Sequence, residues 1–210
     1  MKVSFSDYAS GAVVATALVN TAPVVRRSSG EALLTPADLA GFLDEHDIRP
    51  DALRKGRHPT DGDLKHVRAL RQELRGILES STEDHAAEGA NALVMRAGTG
   101  PVLHRDPDDS RWQWYVATAQ QASLAEELAV LTGTGMLGVL RTLSHERFRS
   151  CASPECDGMF VDTSRAGRRR YCMPDVCGNR LNVARHRARQ LASTQTRAPA
   201  RRRPPPGVTA

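Results

Sequence analysis

The chain has 210 residues, 40% of them hydrophobic and 25% charged, and no apolar run approaches the ~18 residues that would mark a membrane-spanning helix. A large multidomain enzyme is not expected, the protein is expected to be soluble, and an aromatic content of 4% leaves a core of Leu, Val and Ala that suits packed helices. The formal charge of +5 is unevenly placed: residues 1–144 hold 15 Lys/Arg against 19 Asp/Glu, a net of −4, whereas residues 145–210 hold 14 against 5, a net of +9. A basic carboxyl-terminal segment attracts polyanions, which makes nucleic acid the leading partner class, with a merely solvated arginine tail as the alternative for the last residues.

The start reads as a small and apolar first helix over residues 8–21, ending at Leu18-Val19-Asn20-Thr21 ahead of Pro23. No signal peptide is read there, because Asp7 interrupts the entry and no small-residue cleavage site follows. Thr35-Pro36-Ala37-Asp38 starts a second helix with a capping Thr and Pro in the first turn, carrying Leu39, Phe42 and Leu43 and ending near His46. Arg49 to Gly62 reads as loop. The amphipathic stripe Leu64, Val67, Leu70, Leu74, Ile77, Leu78 then predicts a long helix. Asn91 to Ala97 suggests another, stopped by Gly98 and Gly100. The segments 101–104 and 111–116, around an Asp-Pro-Asp-Asp-Ser turn, predict a β-hairpin near 101–116. Residues 118–131 are expected to be helical, with a glycine-rich break and hinge before a short helix near 137–143.

All four cysteines fall in the next segment, as Cys151-x4-Cys156 and Cys172-x4-Cys177. Two close pairs joined by a hairpin-length stretch can present four thiolates to one tetrahedral zinc, and a site closed by four protein ligands is structural, since no position remains for water. Two disulfides and an iron–sulfur cluster are the weighed alternatives. Residues 147–150 and 159–162 read as short strands bracketing the first pair, and Pro174-Asp175 as the opening of a final helix with Cys177 in its first turn. On that helix Leu181, Ala184, Ala188 and Leu191 form the buried arc. Arg185 and Arg189 face away from it, and together with Arg168, Arg169 and Arg170 they are the expected phosphate contacts, while Arg180 is balanced between structure and recognition.

With Cys177-Gly178-Asn179-Arg180 preceded by Cys151-Ala-Ser-Pro-Glu-Cys156 and Arg170-Tyr171-Cys172, the segment resembles the CGNR zinc-finger family. The amino-terminal part, through Leu18-Val19-Asn20-Thr21 and the run Leu64 to Leu78, is similar to the ABATE-type domain that accompanies this finger in bacterial proteins. The resemblance implies a stress-related transcription regulator, with the zinc ligands mapped onto Cys151, Cys156, Cys172 and Cys177.

Other signals are set aside. Gly133-Thr-Gly135-Met-Leu-Gly138 matches G-x-G-x-x-G but follows a helix, not the strand that a dinucleotide site needs. Trp112 and Trp114, alternating in a short strand, are expected to fill a core rather than stack bases. Asp106, Asp108 and Asp109 read as turn formers. No close histidine ligand pattern or nucleophile motif is visible, so no enzyme is expected.

The expected architecture is therefore mainly α with a small β component. A helical domain over residues 1–143 precedes a four-cysteine zinc ribbon or treble-clef-like finger over 144–192, ending in a helix, and a basic, Pro-rich, disordered tail over 193–210. The expected protein is cytoplasmic, holds one structural zinc and binds nucleic acid, DNA ahead of RNA. A protein-interaction finger is the further alternative, and a homodimer through the amino-terminal domain is compatible with the pattern.

Overall fold

A computed structural model describes residues 1–25, 30–54, 56–106 and 110–178. Asp108 and Asp109, the expected helix carrying Arg180, Arg185 and Arg189, and the expected tail lie outside the described residues. The chain divides into two compact units, Met1–Cys172 and Met173–Ala210, the second described over residues 173–178.

The elements of the first unit follow in the order β1 (Lys2–Ser4), α1 (Tyr8–Val19), α2 (Pro36–Glu45), α3 (Asp61–Leu78), α4 (Glu83–Met95), β2 (Gly98–Arg105), β3 (Trp112–Thr118), α5 (Leu124–Thr142), β4 (Phe148–Ser150) and β5 (Met159–Val161). The mainly helical fold with minor β structure agrees with the sequence reading. Three helices begin with reciprocal caps, in which Thr35, Thr60 and Ser123 accept from the N–H of Asp38, Asp63 and Glu126 and those carboxylates accept in return. Asp38 and Glu126 are held below the usual carboxylate range, chiefly by the backbone N–H bonds of Thr35 and Ser123. The stripe on α3 is buried as its period requires.

Four expectations change. Helix α4 begins at Glu83, capped by Thr82, well before Asn91, and buries the small residues Ala86 and Ala90 with Leu93. The hairpin of β2 and β3 is joined by β1, giving an antiparallel sheet in the order β1-β3-β2. The expected glycine hinge is absent, because α5 runs unbroken from Leu124 to Thr142. Its glycines are close-packing positions: a Cβ on Gly135 would lie 2.3 Å from the Ala12 nitrogen, and one on Gly11 would lie 2.6 Å from the Leu131 carbonyl oxygen. Helices α1 and α5 thus cross backbone against backbone, which only paired glycines allow. Finally, Trp112 and Trp114 are 59% and 55% exposed and so do not fill a core, whereas Val116 on the same strand is buried with Val3, Ala97 and Val130.

Helices α1 to α5 contribute to one buried core, and Phe148, Met159 and Val161 of β4 and β5 belong to it as well. Val3, Ala97, Val116 and Val130 form a smaller core beneath the sheet. Among the described residues, no helix is long and apolar enough to cross a membrane.

Candidate metal centre

Strands β4 and β5 pair antiparallel, Phe148 with Val161 and Ser150 with Met159, and so return the chain beside the first cysteine pair. The Cys151–Cys156 knuckle is closed by backbone bonds from Cys151 N–H to the Gly158 carbonyl (2.8 Å) and from Cys156 N–H to that of Ser153 (3.1 Å). Ala152 N–H donates to the Arg170 carbonyl (2.8 Å), which brings the segment ahead of Cys172 alongside. In the second unit, Pro174–Gly178 forms a helical turn in which Cys177 N–H donates to the Met173 carbonyl (2.8 Å), so the expected helix start is present.

The sulfurs of Cys151, Cys156, Cys172 and Cys177 all lie within 4.8 Å of one another, and those of Cys156 and Cys172 are 3.5 Å apart. Ligands about 2.3 Å from a tetrahedral zinc stand about 3.8 Å from each other, so the four sulfurs fit one ion, and all four cysteines are free of disulfides. The surroundings suit thiolates: the Gly158 N–H donates to the Cys156 sulfur (3.4 Å), and a Cβ on Gly158 would sit 2.6 Å from the Cys172 sulfur. Four thiolates and one zinc carry a formal charge of about −2, which N–H donors and nearby cations offset.

The finger's arginines divide sharply. Arg147 donates to the carbonyls of Asp162 (3.0 Å) and Ser164 (2.7 Å), and Arg149 to the Asp162 carboxylate (3.3 Å) and the Gly167 carbonyl (2.8 Å). Arg169 donates to the carbonyls of Tyr171 (2.9 Å) and Cys172 and lies over the Phe160 ring at 4.9 Å. It is therefore bound into the fold beside a ligand. Arg168 and Arg170 are exposed; Arg168 has no partner among the described residues and Arg170 lies 5.9 Å from the Tyr171 ring.

Asp162 anchors this arrangement. Burial raises its pKa, but the Ser164 hydroxyl (2.5 Å), the N–H groups of Arg169 (2.9 Å) and Ser164 (3.1 Å) and the Arg149 charge outweigh burial and hold it below the usual carboxylate range.

Asn20, at the end of α1, has a role that sequence reasoning missed. Its side-chain amide accepts from the Met159 N–H (2.9 Å) and donates to the Met159 carbonyl (2.7 Å), so it meets the open side of β5 as a neighbouring strand would. Thr21, next in the chain, accepts from Arg71 (3.0 Å), itself held by a two-pronged pair with Glu31 (2.7 and 2.8 Å). Arg75, one turn along α3, donates to the Asp157 carbonyl beside Cys156 (3.1 Å). The motif Leu18-Val19-Asn20-Thr21 was visible in the sequence; that its amide clamps the finger was not.

The four-thiolate centre on paired strands defines a zinc-finger protein. Residues 147–190 match the CGNR zinc finger, and residues 12–135 match ABATE, a family described as "putative stress-induced transcription regulator". The chain belongs to the ABATE family, and its carboxyl-terminal part is a CGNR zinc finger with one structural zinc. No curated protein matches the chain.

Proposed function

We propose that the protein is a cytoplasmic transcription regulator, not an enzyme, whose zinc finger binds DNA. The observation that carries this reading is the division of the finger's arginines: Arg147, Arg149 and Arg169 are consumed by the fold, whereas Arg168 and Arg170 stand outward on the segment that ends at Cys172. Cations held on a rigid, metal-anchored segment meet phosphates with little ordering cost. Arg180, Arg185 and Arg189 extend the same basic set along the sequence, in the region that carries a net +9. In this reading Arg169 contributes by positioning its neighbours.

The test is retention of zinc-loaded protein on random duplex DNA and on structured and single-stranded RNA, followed by sequencing of the bound fraction. Enrichment of a duplex motif is expected. Preference for RNA moves the finger to post-transcriptional control, and retention of neither polymer overturns nucleic-acid binding in favour of a protein partner.

A further inference from the structure

A cavity of about 320 Å³ lies between the sheet and helices α4 and α5. Phe5, Tyr8, Val94, Pro101, Val116 and Leu137 give it predominantly apolar walls. Three polar residues of α5 also line it, Thr134, Arg141 and Thr142, and of these Thr134 and Arg141 are seven residues and therefore nearly two turns apart on one helix face. Thr134 is only 4% exposed, and its hydroxyl has no hydrogen-bond partner among the described residues. That is unusual beside Thr132, whose hydroxyl donates to the Leu128 carbonyl at 2.7 Å. A buried hydroxyl without a partner is costly, and the residue that carries it lines an opening large enough for a small molecule. Arg141 is exposed and has no hydrogen-bond or ion-pair partner among the described residues.

We propose that this cavity is a binding site for a small apolar carboxylic acid, its hydrocarbon or aromatic body between the sheet and α5, its carboxylate on Arg141 and an acceptor oxygen on the Thr134 hydroxyl. Each part answers one feature. The apolar walls gain from excluding water, the guanidinium matches a carboxylate with two parallel bonds, and the hydroxyl finds the acceptor it lacks. The site stands apart from the finger and does not depend on nucleic-acid binding.

The experiment is calorimetric titration of the zinc-loaded full chain with 2-naphthoate, decanoate and the neutral 2-naphthamide. At least one carboxylate binds saturably, one per chain, and the amide binds at least about tenfold more weakly than naphthoate, or than decanoate if only decanoate binds. Arg141→Gln removes that acid preference while zinc content and melting temperature stay unchanged. Thr134→Val weakens carboxylate binding about fivefold, yet melts at the same or a higher temperature without ligand, because the methyl group needs no partner. Three results each overturn the proposal: no saturable binding of either carboxylate up to millimolar concentration, equal binding of acid and amide, or carboxylate binding unaltered in Arg141→Gln.

Discussion

Replacing Asn20 with Ala tests how α1 supports the finger strand. The amide satisfies both polar groups of the Met159 peptide backbone, at 2.9 and 2.7 Å, and Met159 is 2% exposed. Truncation leaves a buried donor and a buried acceptor without partners, each costing about 1–3 kcal/mol, and the half-buried setting of Asn20 favours the lower end. A loss of about 2–4 kcal/mol is expected. With a urea slope of about 2 kcal/mol/M, the unfolding midpoint falls by about 1–2 M in excess zinc. Asn20→Asp should be at least as damaging, since its carboxylate can accept from the Met159 N–H but repels the carbonyl. Hydrogen exchange gives the local readout: the Met159 amide loses protection in both variants, while amides in the middle of α3 lose it only to the extent of the global destabilisation. A loss below about 0.5 kcal/mol, or an unchanged Met159 exchange rate, refutes the clamp.

Gly135→Ala places a methyl group 2.3 Å from the Ala12 nitrogen, which the facing helix backbone cannot yield without separating α1 from α5. It should cost at least about 3 kcal/mol by thermal unfolding, whereas Gly76→Ala on α3, with nothing within 4 Å of the added carbon, should stabilise by about 0.5–1 kcal/mol. Gly158→Ala pushes on the Cys172 sulfur and should weaken zinc at least about tenfold in a chelator competition, with the helical circular dichroism retained. For Glu31, burial raises the pKa, but the Arg71 hydrogen bonds, the Leu33 N–H and the Arg71 and Arg68 charges together hold it below 4.5. A lowered folded pKa means that its stabilisation is present above pH 4.5 and is lost as pH falls through the lower folded value. The stability difference between wild type and Glu31→Gln should therefore be constant near neutrality and shrink in acid below that point.

The metal centre was legible because zinc chemistry restricts both residue type and spacing, so four cysteines confined to 27 residues leave few arrangements. Helix α3 was legible because a single face of it meets the core, which makes the buried positions periodic. The same logic failed for α5. Glycine weakens an isolated helix, so Gly133, Gly135 and Gly138 read as a break, but the close contact of Gly135 and Gly138 with α1 and of Gly133 with α4 is a tertiary gain that no local pattern displays. The start of α4 was hidden for the opposite reason: it buries alanines, whose contrast with polar neighbours is slight, although Thr82 with Glu83 and Asp84 is a usable start signal. Trp112 and Trp114 alternate as a half-buried strand should, yet nothing in their spacing shows that this end of the strand is left exposed while Val116 is buried. Among the arginines, composition could count the charges but could not separate Arg169, engaged with Cys172 and Phe160, from Arg168 and Arg170.

The most direct measurement is the affinity of the full chain for labelled duplex DNA as a function of salt, with zinc bound and after chelation, in wild type and in the double variant Arg168→Ala, Arg170→Ala. The account predicts zinc-dependent binding that weakens steeply with salt, and a double variant that keeps its zinc but binds more weakly with a log–log slope shallower by about 2. Affinity and slope unchanged in the double variant, or binding that persists without zinc, would contradict it.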